Sequence, residues 1–506
     1  MRRSLYDLTQ HGLSRLDALA PEARVSRWVF LRLLGLIYLI AFLSLGSQLL
    51  GLVGSQGILP ADPFLHAVRG QFGLERYWLA PTLCWFGVSD AWLRGFCVTG
   101  GLFALLLLLD VAPALMLTLL WATYLSLTTV CRDFLGFQWD NLLLEAGFLA
   151  IFLSPLRWRP AFARDPAPSR TVVWLLRWLL FRLMFSSGVV KLASGDATWR
   201  HLTALTAHFE TQPLPTWMAW YAHQLPVWLL QAVCLVMFGI ELIVPFLIFG
   251  PRRLRLLACS ILIGFQLLIM ATGNYAFFNL LTIALCLLLL DDAVWPTRWS
   301  DVLNRARRRM TRSTRHWPWW VLAPLTVVVL VATSLDLSAR LFRWTPSWAP
   351  IVTLERAVAP FRTLNSYGLF AVMTTSRQEI VVEGSQDGIT WLPYEFRDKP
   401  GDPYRRPRVI APHQPRLDWQ MWFAALGSYQ DNPWFLSFCG QLLRGSPEVL
   451  RLLDKNPFPH TPPRYLRALM YEYHFTDGTM RRRTGLWWRR ELKGFYCPTL
   501  SLQARE

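Results

Sequence analysis

Nine apolar stretches occupy most of the first two-thirds of this chain, and each is close to the length of a membrane-spanning helix. A helix needs about 20 mostly apolar residues to cross the hydrocarbon core, and somewhat fewer where polar ends reach the interface. The pattern predicts an α-helical polytopic membrane bundle and excludes a large soluble enzyme. The shortest stretches are also compatible with re-entrant helices, so the predicted count carries an error of about two. The predicted spans are 28–53, 95–110, 112–130, 140–155, 172–192, 226–249, 254–272, 275–290 and 319–336.

The basic residues orient these spans. The chain has 51 Lys and Arg against 33 Asp and Glu, and the arginines among the spans concentrate at 2–27, 157–170, 252–255 and 298–315. The positive-inside rule makes these segments cytoplasmic, and nine spans place all of them on one side. Because topology explains the charge, the predicted partners are membrane lipids and not nucleic acid.

Three regions follow from this topology. We expect residues 1–27 to form a cytoplasmic N-terminal segment, residues 28–336 a transmembrane helical domain, and residues 337–506 an extracytoplasmic domain. The first apolar run is too long for a cleavable signal sequence, so we expect the first span to act as the insertion signal.

The pattern changes from long apolar runs to short strands and helices after residue 337. Residues 379–396 alternate apolar and polar around a Gln-Asp-Gly turn, which predicts a β-hairpin. Residues 418–429 space their apolar side chains helically, and two more short helices follow up to residue 453. Strands are predicted at 465–475 and 486–496, and a surface loop at 398–407. The sum is an α+β, β-sandwich-like domain.

Ionisable or amide side chains at membrane depth are costly, so each is a candidate for function. One interpretation pairs the acids with arginines inside the bundle and so fixes helix register. The alternative is a proton or ion path, but transporters use broken helices and repeats that this sequence lacks. A transporter is therefore the third functional hypothesis. The residues concerned are Asp140, Asn141, Glu145, Arg182, Glu241 and Asn274.

Lys191 ends the fifth predicted span, in the stretch MFSSGVVKLASGDATW. A lysine held away from water there would have a lowered pKa and could act as a base. The alternative is that its ammonium group reaches the membrane interface, as lysines at helix ends commonly do.

The loop at 193–225 is the longest polar gap between the central spans, and its centre reads HFETQPLP. We expect this stretch to be extended, with His208, Glu210 and Gln212 on one side and Phe209 and Thr211 on the other. Pro213 and Pro215 disfavour a helix. The loop either caps the bundle or lines an outer-face site. The candidate residues of that site are Asp196, Trp199, His208, Glu210, Thr211 and Gln212.

Neither a metal site nor a disulfide framework is predicted. His208 and Glu210 are two ligands, too few for zinc without a third from elsewhere. Cys97 and Cys131 fall at the outer ends of neighbouring helices, which makes a bridge between them geometrically possible.

The chain resembles the lipase maturation factor family over most of its length. The resemblance is carried by FQWDNLLLEAGFLAIFLSP, FRLMFSSGVVKLASGDATWRHLTALTAHFETQPLP, ELIVPFLIF and TGNYAFFNLLTIALCLLLLDD, and by LNSYGLFAVMT, EGSQDGITWLPYEFRDKPGD and RLDWQMWFAAL in the C-terminal part. It implies a multi-pass protein of the endoplasmic reticulum membrane that assists the folding of secreted lipases, with the C-terminal domain holding the client. The arginine bias suggests a bacterial chain, for which the location would be the inner membrane.

The block SGVVKLASGDATW is more distantly similar to vitamin K-dependent γ-glutamyl carboxylases. That similarity implies that Lys191 is a base, with a lipid or quinone-like molecule beside it, although the residues alone predict no cofactor. Two functions therefore stay open, a non-enzymatic folding factor and an outer-leaflet enzyme. For the folding factor, we expect an exposed aromatic client-binding surface at Trp419, Trp422, Phe423 and Trp434.

Overall fold

The computed structural model describes residues 23–160, 165, 167–296, 317–344 and 349–502. The N-terminal segment predicted at 1–27 and the arginine-rich segment at 298–315 therefore lie largely or wholly outside the described residues.

All nine predicted apolar stretches form helices within the described residues, which confirms the membrane bundle. Seven of these helices are long and apolar enough to cross a membrane: Arg24–Gly46, Asp90–Leu108, Pro113–Leu135, Arg170–Ala193, Val227–Leu247, Arg252–Thr272 and Trp319–Phe342. The other two, Gln138–Leu153 and Phe278–Leu289, are shorter. The helices up to the C-terminal domain are, in chain order, α1 Arg24–Gly46, α2 Leu49–Val53, α3 Ala61–Phe72, α4 Arg76–Leu79, α5 Asp90–Leu108, α6 Pro113–Cys131, α7 Gln138–Leu153, α8 Arg170–Ala193, α9 Ala197–Arg200, α10 Ala204–Thr211, α11 Trp217–His223, α12 Val227–Leu242, α13 Val244–Leu247, α14 Arg252–Thr272, α15 Phe278–Cys286, α16 Trp319–Phe342 and α17 Ala349–Val358.

Several arginines form ion pairs with acids at one end of the bundle. Arg157 contacts Asp110 at 2.6 Å and Asp165 at 2.5 Å, and Arg32 contacts Asp110 at 2.7 Å. Arg252 contacts Asp291 at 2.7 Å. Asp110, Arg157 and Asp291 follow the ends of α5, α7 and α15, Arg252 begins α14, and Arg32 lies on the third turn of α1. At the start of α1, the Val25 N–H donates to Asp292 at 2.9 Å, so these helix ends lie at one level. This common level is the predicted cytoplasmic side.

The C-terminal domain covers the opposite ends of the helices. Gln48 after α1, Phe134 after α6 and Gln138 at the start of α7 all hydrogen-bond to residues beyond 360. Asn274, just before α15, binds residues 408–411. Both short helices, α7 and α15, therefore run from one level to the other, like the seven longer ones.

The C-terminal domain is α+β, as predicted. Its four-stranded antiparallel sheet has the order β2-β1-β5-β6, and β3 and β4 form a second, two-stranded sheet. The predicted hairpin is present, because β1 pairs with β2. The elements are β1 Arg377–Ser385, β2 Leu392–Pro393, β3 Glu395–Phe396, α18 Arg416–Ala424, α19 Pro433–Leu443, α20 Pro447–Leu450, β4 Leu453–Lys455, β5 Tyr465–Phe475, α21 Gly478–Thr484 and β6 Trp488–Ser501. The stretch 398–407 contains no helix or strand, but Lys399 is buried within it.

Aromatic rings fill the contact between the two parts of the molecule. Trp419 lies 4.7 Å from the ring of Trp139, and Trp434 lies 6.0 Å from that of Phe134. Trp419, Trp422 and Trp434 are only 3%, 7% and 4% exposed. The prediction that they form an exposed surface is therefore wrong, because α18 packs Trp419 and Trp422, and α19 packs Trp434, onto the membrane domain. Phe423, at 43% exposure, is the one of the four that reaches the surface.

The cysteines do not form a bridge. All eight are free and buried, Cys97 and Cys131 included. The possible Cys97–Cys131 disulfide is therefore not formed, and both thiols pack as small apolar side chains.

Candidate functional site

The HFETQPLP stretch is helical up to Thr211, and the prediction of an extended segment is wrong. Residues Ala204–Thr211 form α10, and the Thr211 hydroxyl donates to the Ala207 carbonyl at 3.0 Å. Leu205 and Phe209, four residues apart, are buried on one face of this helix. Proline stops the helix only at position 213, two residues after its end. Because consecutive helical residues are 100° apart, His208 and Glu210 point in different directions.

Arg377 of β1 holds the end of this stretch. Its guanidinium group donates to the carbonyl oxygens of Glu210 at 2.7 Å, Gln212 at 2.5 Å and Pro213 at 2.8 Å. The side chain is fully buried, and Glu379 neutralises it at 2.6 Å. The sequence analysis missed this arginine, because nothing in a strand pattern shows which loop its side chain will meet.

The Thr211 carbonyl and the Gln212 side chain, just before Pro213, bind residues of other elements. The indole Nε1 of Trp422 donates to the Thr211 carbonyl at 2.9 Å. The Gln212 amide accepts from the Tyr275 hydroxyl at 2.9 Å and donates to the Thr272 carbonyl at 2.9 Å. The stretch thus joins α10, the end of α14 and the C-terminal domain.

Asn274 lies just beyond the end of α14, although it was predicted at membrane depth. Its Nδ2 donates to the carbonyls of Leu214 at 3.1 Å and Arg408 at 2.9 Å. Its Oδ1 accepts from the backbone N–H groups of Ile410 and Ala411. It therefore stabilises the contact between the outer loop and the C-terminal domain.

Glu210 meets two histidines at the edge of the same contact. It accepts from the Phe475 backbone N–H at 2.5 Å and lies 3.1 Å from Nδ1 of His474. Nε2 of His223 is 3.7 Å away. Burial lowers the pKa of His223, and the Glu210 carboxylate opposes that effect.

Lys191 forms an ion pair inside the bundle. Its Nζ donates to the two carboxylate oxygens of Glu241 at 2.7 and 2.6 Å, and both side chains are buried. Gly188, one turn before Lys191, makes this approach possible, because a Cβ there would lie 2.7 Å from Leu242 and 3.1 Å from Cβ of Glu241. The lysine neither reaches the interface nor stands unpaired.

Three other predicted site residues surround the outer end of this pair. The Trp199 ring lies 5.4 Å from Nζ of Lys191, and its Nε1 donates to the Phe370 carbonyl at 2.9 Å. Asp196 accepts from the Met373 backbone N–H at 2.7 Å. The His208 ring packs edge-on against Phe370, with centroids 5.0 Å apart. The segment around 370 therefore closes this end of the bundle.

His208 is held under this cover without a hydrogen bond to its Nδ1 from any described residue. Its Nδ1 is inaccessible and has no hydrogen-bond partner among the described residues. Burial, assisted by the charge of Lys191, lowers the pKa of His208 to about 4. The imidazole is therefore neutral at physiological pH.

The surroundings of Lys191 are those of a packed ion pair. Two cavities among the described residues, of about 110 and 10 Å³, are lined by residues other than Lys191, His208 and Glu241. Among the described residues, no group of three or more metal-ligating side chains could hold an ion. The arrangement is a packed ion pair under an aromatic cover.

The remaining buried acids of the bundle, both on α7, contact the C-terminal domain. Asp140 accepts from the Arg416 guanidinium at 2.5 and 2.8 Å and from the Tyr124 hydroxyl at 2.5 Å. All three side chains are buried. An arginine of the C-terminal domain therefore inserts into the mouth of the bundle.

Glu145, one and a half turns further along α7, has partners of both kinds. It pairs with Arg182 of α8, and it accepts from the Tyr367 hydroxyl at 2.7 Å and the Asn365 backbone N–H at 3.0 Å. The Asn365 side chain also donates to the Asn141 carbonyl at 3.3 Å. The predicted pairing of acids with arginines inside the bundle is thus present at Glu145.

Comparison with known proteins identifies the family. The family model for the lipase maturation factor transmembrane domain matches residues 25–297, and that for the lipase maturation factor C-terminal domain matches residues 363–498. The chain is 39% identical to lipase maturation factor 2 of Gallus gallus and 38% identical to that of Homo sapiens, over 95% of this chain and 82% and 83% of those relatives. It is 35% identical to lipase maturation factor 1 of Bos taurus, over 95% of this chain and 89% of that relative. No solved structure matches. Because both regions match in order and the alignments cover nearly the whole chain, this multi-pass membrane protein belongs to the lipase maturation factor family.

Proposed function

We propose that the protein is a membrane-bound factor for the maturation of exported proteins, with lipase-type clients, and that its C-terminal domain engages the client. Relatives named lipase maturation factors at 35–39% identity support the maturation role. We place the client-binding domain on the side opposite the arginine-rich helix ends. That side is the lumen in an endoplasmic reticulum membrane, or the periplasm in a bacterial inner membrane.

The free edge of β6 is the observation that carries client binding. This strand is 14 residues long and terminates the four-stranded sheet, with β5 on its one paired side. Within the described part of the chain, no other strand pairs with its outer side. Unpaired N–H and C=O groups along a strand edge can accept one more strand from another polypeptide. An incompletely folded client offers such a strand, because its own sheets are not yet closed.

Side chains on β6 suit a transient partner of this kind. Leu492 and Phe495 are 53% and 66% exposed and offer apolar contacts. Arg489, Arg490 and Lys493 flank them, and charged residues on an edge strand oppose its pairing with a second copy of itself. The edge therefore combines backbone pairing, which tolerates many sequences, with protection against aggregation.

Binding of an unfolded lipase to the full chain in nanodiscs tests this proposal. Urea-unfolded lipoprotein lipase is diluted onto the immobilised protein, and the Kd is compared for the native chain and a Leu492→Glu/Phe495→Glu variant. We expect the variant to bind at least tenfold more weakly, since two carboxylates replace the apolar contacts. The matched control is Ile389→Glu, which changes an 83% exposed side chain beyond the other end of the sheet.

Two outcomes would count against the proposal. Equal binding by the native chain and the β6 variant would remove the edge as the client site. An equal loss in the Ile389→Glu control would mean that charge on the domain, and not the edge, governs binding.

A further inference from the structure

The segment between α1 and α5 carries a group of exposed large apolar side chains at the end of the bundle that the C-terminal domain covers. Leu74 and Phe86 are each 81% exposed, and Tyr77 and Trp78 are 51% and 52% exposed. Leu74, Tyr77 and Trp78 are spaced by three and four residues across the helical turns at 73–79, so they share one face. A surface this apolar requires an occupant.

The depth of this segment is fixed by its bonds to α6. The Leu83 N–H donates to the Ser126 hydroxyl at 2.9 Å, and the Thr82 hydroxyl donates to the Ser126 carbonyl at 3.1 Å. The Thr129 hydroxyl donates to the Pro81 carbonyl at 3.1 Å. Ser126 lies five residues before the last residue of α6, roughly 7 Å along the helix axis. Residues 81–83 therefore lie at the level of the apolar part of a span, below its polar end.

Helix α3 lies nearer the aqueous side. Arg132, just after α6, donates to the Leu59 carbonyl at 3.1 Å, and its guanidinium group covers the Phe64 ring at 4.8 Å. The exposed side chains of α3 include Asp62, His66 and Arg69. The polar helix thus lies at the level of Arg132, and residues 81–83 lie deeper. Phe86 lies beside His66 and Arg69 of α3, around a cavity of about 110 Å³, and so marks the boundary between the two levels.

The apolar surface continues onto a predicted membrane span. Trp92, at the start of α5, is 51% exposed, and Val98 and Leu102 further along α5 are 71% and 52% exposed. A span presents such side chains to lipid. Arg76 stacks over Tyr77 at 4.6 Å and Trp85 at 5.6 Å, an arrangement typical of an interface where a cation covers aromatic rings.

We propose that residues 72–86 form an in-plane membrane anchor whose apolar side chains insert among the acyl chains of the outer leaflet. The charged face of α3 then lies at the phospholipid headgroups. Trp78 also packs on Phe361, with ring centroids 4.9 Å apart, next to the segment that leads into the C-terminal domain. The anchor therefore ties that domain to the membrane surface as well as to the helix bundle.

Nitroxide accessibility measures this depth directly. Single substitutions Leu74→Cys, Leu83→Cys and Arg69→Cys are spin-labelled in the full chain in phosphatidylcholine nanodiscs; Leu83 is 38% exposed. The eight native cysteines are buried, and the unsubstituted chain gives the labelling background. Power saturation is then measured with oxygen, which concentrates in the acyl region, and with a water-soluble nickel chelate.

The labels at 74 and 83 are expected to respond at least threefold more to oxygen than to the nickel chelate, and the label at 69 to show the reverse preference. A strong nickel response at 74 and 83 would place the segment in water and overturn the proposal. Low accessibility of both sites to both reagents would mean that protein covers them, which would overturn it equally.

Discussion

Asp140 of α7 and Glu241 of α12 are both buried acids, but their cations come from different parts of the molecule. Asp140 of α7 takes its cation from Arg416 of the C-terminal domain, 276 residues away in the chain. Glu241 of α12 takes its cation from Lys191 of the neighbouring span. The first pair joins two domains, whereas the second joins two helices of one bundle. Similar chemistry therefore has two structural roles, and only the partner's position distinguishes them.

This difference determines what each pair can do for function. A pair between domains fixes how the C-terminal domain, with the β6 edge, is held over the membrane domain. A pair within the bundle fixes helix register beneath that domain. Breaking a buried pair costs about 3–5 kcal/mol, because an uncompensated charge is left in an apolar site.

The largest effect is expected at the interdomain pair. Asp140→Leu leaves the Arg416 guanidinium buried without its carboxylate and should lower the free energy of unfolding by about 3–5 kcal/mol. The loosened C-terminal domain should be cleaved faster by protease in detergent. The double variant Asp140→Leu/Arg416→Met should recover most of the loss, because it buries no charge. Native-like stability and cleavage in the single variant would refute the interdomain role.

Breaking the intrabundle pair should lower the free energy of unfolding by about 3 kcal/mol, without releasing the C-terminal domain. Lys191→Met leaves the Glu241 carboxylate buried and unpaired, and Lys191→Met/Glu241→Leu should restore stability. Client maturation by the double variant separates the two hypotheses for Lys191. Recovered activity supports a structural pair. A stable but inactive double variant would support the enzyme hypothesis, with Lys191 as the base.

Gly188→Ala tests the packing of α8 against α12 without changing any charge. The added methyl group would lie 2.7 Å from Leu242, so α8 and α12 must separate. We expect a loss of about 1–3 kcal/mol in thermal unfolding from overpacking. Gly239→Ala is the matched control, because a Cβ at that position of α12 meets nothing within 4 Å. Equal effects of the two substitutions would contradict a close-contact role for Gly188.

The smallest effect is expected from pH at the cover of the intrabundle pair. The pKa of His208 in the folded protein is about 4, below the ordinary value of 6.5. The unfolded chain therefore binds the extra proton first, and stability falls as pH drops from 6.5 towards 4. Between pH 7 and pH 5 this histidine should contribute up to about 2 kcal/mol of that loss. His208→Gln should reduce the pH dependence in urea unfolding, whereas an unchanged pH dependence would show that His208 has the same pKa in the folded and unfolded chain.

The sequence predicted the elements of this fold well, because their signals are local. Nine apolar runs became helices, and the strand predicted at 465–475 is β5 with the same bounds. The hairpin followed from alternation around a Gln-Asp-Gly turn. Each of these signals depends on side chains within one or two turns, or on cross-strand neighbours close in the chain.

The errors concern one element of the outer loop and the surroundings of three tryptophans. The two prolines of HFETQPLP suggested an extended stretch, but the four residues Ala204–Ala207 and the buried Leu205 and Phe209 favour a helix that ends before proline acts. Trp419, Trp422 and Trp434 were expected to be exposed because a separate outer domain would leave α18 and α19 uncovered. The membrane domain covers these side chains instead. Their burial depends on the docking of the two domains.

The sequence by itself determined that this protein spans a membrane, which ends of its helices are rich in arginine, and which family it resembles. The tertiary structure decided which charges meet. Arg377 donates to three carbonyls of a loop more than 160 residues away, and Arg416 pairs with Asp140. The physical reason is that burial of an ion pair depends on two partners brought together by packing, whereas hydropathy acts residue by residue along the chain.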